Sequence, residues 1–194
     1  MTCTPLVLGS LFLVVPARAT ANETQVELSV PAQSSRPAFT LDDLNNIATA
    51  LAGVRSDIVI VHFFATWCEP CRDELPALTR LVARSDPSRL TVLAISVAEV
   101  DVRVRTFIEK MPVNFPILLD RDRSVTKSWN VSALPTTFIL DRHLKPRLFI
   151  ERDYDWDRVD VNALLKAFHD QSRHQSRTID IDPTLAHQSE GEQR

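Results

Sequence analysis

Hydrophobic residues in this chain form short continuous runs, separated by segments in which they recur at helical spacing. Runs rich in β-branched and aromatic side chains are typical of strands that are buried on both faces of a sheet. A strand is also expected directly after Pro135, because a proline is tolerated at the first position of a strand or in a bend. The predicted strands are Ile58–Phe64, Leu90–Ser96, Phe115–Leu119, the run from Thr136 to Asp141, and Leu148–Glu151.

Between these runs, apolar residues three or four positions apart predict amphipathic helices. The segment after Cys68 carries such a stripe through Cys71, Leu75, Leu78 and Val82. Alternation of strands and helices favours a parallel strand pair with a right-handed crossover, and therefore an α/β fold. The other predicted helices are Phe39–Leu51, Asp101–Lys110, Ser124–Trp129, and a last helix with Val161, Leu164, Leu165 and Phe168 on one face, capped within Asp155–Asp157.

Composition and charge limit the classes of function. The chain has 194 residues, of which 44% are hydrophobic, and this is enough apolar material for one core of ordinary size. The formal net charge is -3, and the sequence contains no cluster of basic residues that would bind nucleic acid or an anionic membrane surface. One domain that does not bind nucleic acid is therefore expected.

The two ends of the chain differ from its middle. Residues 1–21 contain a short apolar stretch before small-residue cleavage patterns, as in a signal peptide, but they lack the usual positive n-region, so an uncleaved anchor or a buried segment remains the alternative. Residues 22–37 are expected to form an extended lead-in, residues 38–170 the folded domain and residues 171–194 a disordered polar tail. Cleavage would remove Cys3 and leave Cys68 and Cys71, a cysteine content suited to an exported protein.

The clearest chemical signal is the motif Trp67-Cys68-Glu69-Pro70-Cys71, which follows a buried strand and opens a helix. Unpaired N–H groups at a helix N-terminus stabilise a thiolate, so Cys68 is expected to attack and Cys71 to resolve. The alternative is half of a zinc site, but no second Cys-x-x-Cys and no His-x₃₋₅-His pair completes the ligand set. We therefore expect redox chemistry and no metal.

Two titratable residues lie near this motif. Glu74 follows Cys71 by three positions on the same helical stripe, so its carboxyl group is expected to be partly buried, with a raised pKa, and able to exchange a proton with the Cys71 thiol. A glutamate that reaches water at the edge of the stripe is the alternative. His62, in the strand before the motif, is expected to be a core histidine with a hydrogen-bond partner, with a proton relay as the alternative.

The cysteine motif, Glu74, Pro76 and the downstream Leu134-Pro135-Thr136-Thr137-Phe138 together resemble the TlpA/ResA branch of the thioredoxin-like superfamily, which comprises exported bacterial thiol-disulfide oxidoreductases. The resemblance spans roughly Phe39 to His169. It implies a thioredoxin-like fold, in which helices flank a central mixed sheet of four or five strands and an αβ insertion separates the cysteine helix from the proline strand.

The resemblance also implies roles for individual residues. Cys68 would be the nucleophile, Cys71 the resolving thiol and Glu74 the buried acid, with Pro135 in the cis form against the disulfide. Trp67, Leu134, Pro135 and Thr136 are the expected substrate-binding residues, and Leu134 would offer backbone groups to an extended peptide. The chain departs from the family pattern at Arg142-His143-Leu144-Lys145, where relatives usually have glycine, so a reshaped turn is expected there.

These expectations describe an enzyme without a cofactor beyond a redox-active Cys68–Cys71 disulfide. The expected substrates are protein thiols and disulfides in the periplasm, as in cytochrome c maturation or copper-site assembly, with a membrane electron donor for recycling and a monomeric protein. Glu69 places a negative charge beside Cys68 and should raise its pKa, which favours a reductase. The alternative from another class is a metallochaperone in which Cys68 and Cys71 hold Cu(I) or zinc.

Overall fold

The computed structural model describes residues 36–177, with side chains as far as Gln171. The predicted targeting segment 1–21 and nearly all of the lead-in 22–37 lie outside the described residues. The strands are β1 (Thr40–Asp42), β2 (Ala48–Ala50), β3 (Ile58–Phe64), β4 (Leu90–Val97), β5 (Ile117–Asp120), β6 (Thr136–Asp141) and β7 (Pro146–Ile150). The helices are α1 (Glu69–Ala83), α2 (Asp101–Lys110), α3 (Ser124–Ser128) and α4 (Val161–Arg177).

A mixed sheet of five strands in the order β5-β4-β3-β6-β7 forms the centre of the fold. Strand β3 pairs in parallel with β4 and antiparallel with β6, and every one of its residues is buried. A strand covered on both faces needs apolar residues on both, which explains the continuous run that marks β3 in the sequence. The predicted α/β fold with a mixed sheet is confirmed.

Side chains of β3 alternate between two hydrophobic cores. On one face, Ile58, Ile60 and Phe64 pack in a core with residues of α1, α2 and α4. On the other face, Val59, Val61 and Phe63 pack with residues that include Phe39, Val125 and Trp129. By this alternation His62 points to the same face as Ile60 and Phe64, which is the face covered by α1.

The helix predicted at Phe39–Leu51 is wrong, because this segment forms the antiparallel hairpin of β1 and β2. The Asp43 carboxylate accepts hydrogen bonds from the backbone N–H groups of Asn45 and Ile47. Asn46 adopts a left-handed conformation with φ of 59°. Aspartate and asparagine favour such turns over helix interiors, since their side chains bond to the nearby backbone. The apolar spacing is therefore not helical packing, and Ile47 is 62% exposed.

The last helix also differs from the prediction. Asp155 caps a short 3-10 turn at Trp156–Arg158, and the cap of α4 is Asp160, whose carboxylate accepts from the backbone of Asn162 and Ala163. Helix α4 continues to Arg177, so the first residues of the predicted disordered tail 171–194 are helical. The remainder of that tail lies outside the described residues.

Some strand boundaries shift by a few residues, with β5 beginning at Ile117 and β7 spanning Pro146–Ile150. The turn between β6 and β7 is built without glycine. Leu144 takes a left-handed conformation with φ of 58°, and the Asp141 carboxylate accepts from the backbone of His143 and Lys145. Among residues 36–177, no helix combines the length and apolar character that a membrane span requires.

Candidate redox site at the N-terminus of helix α1

Cys68 and Cys71 are joined by a disulfide at the start of α1. Cys68 is the N-cap residue of the helix, and its Sγ accepts a hydrogen bond from the backbone N–H of Cys71 at 3.3 Å. Cys68 retains 6% exposure, whereas Cys71 is fully buried. The positive end of the helix and an N–H donor thus face the sulfur of the more accessible cysteine, which is the arrangement that stabilises a thiolate.

The loop before Cys68 is fastened by Glu99, a residue that sequence reasoning missed. The Glu99 carboxylate is 7% exposed and lies just after the end of β4. It accepts from the Thr66 backbone N–H at 2.8 Å, from the Thr66 hydroxyl at 2.5 Å and from the Ser96 hydroxyl at 2.9 Å. Because β3 and β4 are parallel, residues that follow them meet at one edge of the sheet, and this rule could have suggested the contact.

An open groove of ≈ 390 Å³ is lined by Trp67, the residue directly before Cys68. Leu134 lines it too, together with Val97, Ala98 and Arg123. The Trp67 side chain is 67% exposed and so is accessible to a substrate. The groove thus combines apolar walls with one cation next to the more accessible cysteine.

Pro135 follows a cis Leu134–Pro135 peptide bond, as the family resemblance implied. Its neighbour Thr136 pairs with Phe63 near the end of β3, so Pro135 lies at the same edge of the sheet as Cys68. The Thr136 side chain is fully buried and donates a hydrogen bond to the carbonyl of Ala133 at 2.7 Å. Trp67 and Leu134 line the groove, whereas Pro135 and Thr136 are not among its lining residues, and the substrate-binding roles of all four stay predictions.

Glu74 is a buried acid, with only 4% of its side chain exposed. Burial raises the pKa of this carboxyl group to about 7, although a hydrogen bond from the Tyr154 backbone and the nearby Trp156 indole oppose the shift, while the charge of Asp153 adds to it. The N–H of Tyr154 donates to Oε1. Neither Glu74 Oε2 nor the indole N–H of Trp156 forms a hydrogen bond of ordinary geometry within the described residues. The predicted burial and raised pKa are confirmed.

His62 lies next to Glu74 and is fully buried. Its Nδ1 is 2.9 Å from the hydroxyl of Thr137 on β6 and 3.6 Å from Glu74 Oε2. Burial lowers the pKa of His62 to about 3, so the imidazole is neutral at ordinary pH. The expected hydrogen-bond partner of this core histidine is thus Thr137.

The described part of the chain contains no group of three or more His, Cys, Asp or Glu residues arranged to hold a metal ion. His143, in the turn between β6 and β7, is exposed. A smaller cavity of ≈ 200 Å³ lies near it and near Asp141. Because Asp141 pairs with Ile58, the first residue of β3, this cavity is at the edge of the sheet opposite to Cys68.

Comparison with known proteins identifies the family of the chain and relatives that are named as thiol-disulfide oxidoreductases. The family model described as the AhpC/TSA family matches residues 32–146. Thiol-disulfide oxidoreductase ResA of Bacillus subtilis (strain 168) is 34% identical over 113 residues, which are 58% of this chain and 63% of the relative. The protein of the same name from Geobacillus thermodenitrificans (strain NG80-2) is 33% identical over 130 residues, or 67% of this chain and 75% of the relative. The chain thus spans about two thirds of the length of these relatives.

Solved structures show the fold. StoA from Bacillus subtilis superimposes with a TM-score of 0.56 at 19% identity, covering 69% of this chain and 98% of the other. The thioredoxin domain of a thiol-disulfide oxidoreductase from Bacteroides vulgatus gives a TM-score of 0.61 at 22% identity, covering 72% and 99%. With the family match over more than half of its residues, the chain belongs to the AhpC/TSA family, has the thioredoxin-like fold, and counts the ResA thiol-disulfide oxidoreductases among its relatives.

Proposed function

We propose that this protein is a thiol-disulfide oxidoreductase that reduces disulfides in other proteins through Cys68 and Cys71. The observation that carries the proposal is the disulfide at the N-terminus of α1, with Cys68 as the more accessible sulfur and its neighbour Trp67 lining an open groove. The names of the ResA relatives describe the same class of activity. No further cofactor enters the proposal, because the two cysteines carry both electrons.

The exchange proceeds through two sulfur transfers. The Cys68 thiolate attacks one sulfur of a substrate disulfide, so that a mixed disulfide forms and the first substrate thiolate leaves. Cys71 then loses its proton and attacks Cys68 Sγ, which releases the second substrate thiolate and forms the Cys68–Cys71 disulfide. Two electrons pass from the cysteine pair to the substrate.

In this proposal Glu74 takes the proton that Cys71 must lose. The two residues are three positions apart on α1, so their side chains lie on the same side of the helix. Cys71 is fully buried and has no direct access to water as a base. With a pKa of about 7, Glu74 is present in both its acid and its base form near neutral pH, as a proton carrier requires.

The direction of electron flow depends on how strongly the thiolate is stabilised. The helix N-terminus favours the thiolate of Cys68, and a stabilised thiolate makes a pair more oxidising. Glu69, in the first turn of α1, opposes this effect because its negative charge lies beside Cys68. We assign the protein to the reductases, because the acidic residues Glu69 and Glu74 both disfavour a thiolate at the cysteine pair. A less stable thiolate makes the pair more reducing.

Equilibration of the purified protein with glutathione buffers tests this direction. We expect a reduction potential more negative than roughly -200 mV, since strong oxidases lie near about -120 mV. A value close to that of the strong oxidases would contradict the reductase assignment. Glu69→Gln should make the potential less negative, and Asp73→Asn, which changes an exposed carboxylate on the same helix, serves as the matched control.

The proposed substrates are cysteine pairs of exported proteins, such as apocytochrome c or copper-site proteins, with a membrane protein as electron donor. The apolar segment at residues 1–21 supports a location on the periplasmic side, either free after cleavage or anchored. Reduction of an oxidised Cys-x-x-Cys-His peptide faster than reduction of insulin would support the cytochrome assignment. Equal rates with both substrates would contradict it.

The metallochaperone alternative is separated from the enzyme by one control. Disulfide turnover in the presence of a strong Cu(I) and zinc chelator is expected to equal turnover without it, because the proposed chemistry involves sulfur alone. Loss of turnover on chelation, together with stoichiometric Cu(I) binding by the reduced protein, would favour the metal-binding function.

A further inference from the structure

His62 bridges three elements beneath the redox site. It lies on β3, six residues before Cys68, and points to the face covered by α1. Its Nδ1 approaches the Thr137 hydroxyl of β6 at 2.9 Å and Glu74 Oε2 of α1 at 3.6 Å. One ring nitrogen is therefore shared by a neutral hydroxyl and a titratable carboxyl group, both of them buried.

The other ring nitrogen indicates where the proton lies. Nε2 is buried and has no hydrogen-bond partner among the described residues. An unpaired buried N–H is rarer and more costly than an unpaired acceptor, so the proton belongs on Nδ1. In this tautomer Nδ1–H donates to the Thr137 hydroxyl and also points towards the carboxyl group of Glu74.

No positive charge faces Glu74 from the elements packed against it within the part of the chain that the structure describes. β3 contributes the neutral His62, and β6 contributes the hydroxyl of Thr137. The segment before α4 contributes the negative charge of Asp153, together with N–H groups of Tyr154 and Trp156. On its own helix Cys71 lies one turn before Glu74, and in the disulfide it does not titrate. An ionised Glu74 must therefore be stabilised by neutral N–H donors.

We propose that His62 is a positioning residue of the redox site, whose Nδ1–H moves from Thr137 towards Glu74 Oε2 when this carboxyl group gives up its proton. His62 stays neutral throughout and transfers no proton itself. It stabilises the base form of Glu74, which is the form that accepts the proton of Cys71. This last consequence rests on the proposed function, whereas the interaction between His62 and Glu74 does not.

Titration of Glu74 in the oxidised protein tests the interaction without any turnover, because the disulfide-bonded cysteines do not titrate. The carboxyl carbon of Glu74 is followed by ¹³C NMR and assigned by its loss in Glu74→Gln. In His62→Leu the donor is absent, and we expect Glu74 to become a roughly tenfold weaker acid. An unchanged or stronger acid in this variant would overturn the proposal.

Three further variants keep the test decisive if leucine at position 62 prevents folding. His62→Asn retains a side-chain N–H donor, so Glu74 should titrate closer to the wild type than in His62→Leu. Thr137→Val removes the competing acceptor and should make Glu74 a stronger acid, whereas Thr137→Ser keeps the hydroxyl and should leave it unchanged. A weaker acid in Thr137→Val would overturn the tautomer assignment and the proposal with it.

The same variants separate this proposal from the proposed function. If the Glu74 titration shifts as expected but the wild-type protein reduces no disulfide, the exchange function fails and the His62 interaction stands. If turnover is normal and the Glu74 titration is insensitive to His62, the His62 interaction fails and the exchange function stands. Urea unfolding of each variant identifies any shift that follows from loss of the fold.

Discussion

Glu74 and Glu99 are two buried glutamates in the segments that flank the redox motif in space: Glu74 lies on α1 after Cys71, and Glu99 is bonded to the loop before Cys68. Glu99 is 7% exposed and accepts three hydrogen bonds from Thr66 and Ser96. Glu74 is 4% exposed and accepts one hydrogen bond from a backbone N–H, while its Oε2 has no partner of ordinary geometry in the described chain. The two carboxyl groups are buried to a similar degree, so the number of hydrogen-bond donors is what distinguishes them.

Removing the better-bonded carboxylate should have the largest effect. Glu99→Ala leaves the Thr66 N–H and two hydroxyl groups without their acceptor, so we expect a loss of about 3 kcal/mol in the free energy of unfolding. The loop before Cys68 should also lose its fixed position, and reduction of protein disulfides should slow roughly tenfold. Urea unfolding and insulin reduction measure the two effects.

Asp141→Ala is the matched control for this variant. Asp141 is also buried and bonded to His143, Lys145 and Arg147, but it lies at the opposite edge of the sheet. The Asp141→Ala variant should have a lower free energy of unfolding than the wild type but the same rate of disulfide reduction. Equal loss of turnover in both variants would mean that Glu99 contributes to activity only through the stability of the fold.

Replacing the less well bonded glutamate should change the pH dependence of stability. The pKa of Glu74 is raised from 4.5 to about 7 in the folded protein, so folding favours its protonated form. Well below pH 4.5 the carboxyl group is protonated in both the folded and the unfolded state, so its burial as a charge does not reduce the free energy of unfolding. As the pH rises towards 7 the unfolded state ionises first, and wild-type stability should fall relative to Glu74→Gln by at most about 3 kcal/mol.

Urea unfolding of the oxidised wild type and Glu74→Gln at pH 5 and pH 8 checks this difference. The other titratable groups are common to both proteins, so the change in their stability difference reports Glu74 alone. A difference that is constant with pH would mean that Glu74 has the same pKa in the folded and unfolded protein, and would contradict the expected raised pKa.

A smaller effect is expected from trimming the Glu99 network by one donor. Thr66→Val removes the hydroxyl group and keeps the backbone N–H that donates to Glu99 Oε2. We expect a loss of about 1 kcal/mol in the free energy of unfolding, because one hydrogen bond is lost and valine has a similar shape. A loss in the free energy of unfolding as large as that of Glu99→Ala would instead mean that the Thr66 hydroxyl accounts for the whole stabilising effect of Glu99.

Features that depend on neighbouring residues were predictable from the sequence. The strand β3, the cysteine pair and the start of α1 are contiguous, and local patterning places Glu74 on the buried side of the helix. The hairpin of β1 and β2 was missed, because the turn formed by Asp43 and Asn46 outweighs an apolar spacing that happens to be helical.

Contacts between distant segments were not predictable in the same way. Glu99 meets Thr66 only because β3 and β4 pair in register, and the backbone N–H of Tyr154 reaches Glu74 from the segment before α4. The local spacing of apolar and polar residues does not show which distant segments contact each other. They nevertheless decide the difference between the two glutamates.

The most direct test of the account is trapping with Cys71→Ser. In this variant Cys68 can attack a substrate disulfide but the second sulfur transfer cannot occur. We expect a covalent mixed disulfide between Cys68 and an oxidised protein substrate, visible on non-reducing gels and by mass spectrometry, and none with Cys68→Ser. Trapping by Cys68→Ser instead, or substrate reduction by Cys71→Ser without any mixed disulfide, would contradict Cys68 as the attacking sulfur.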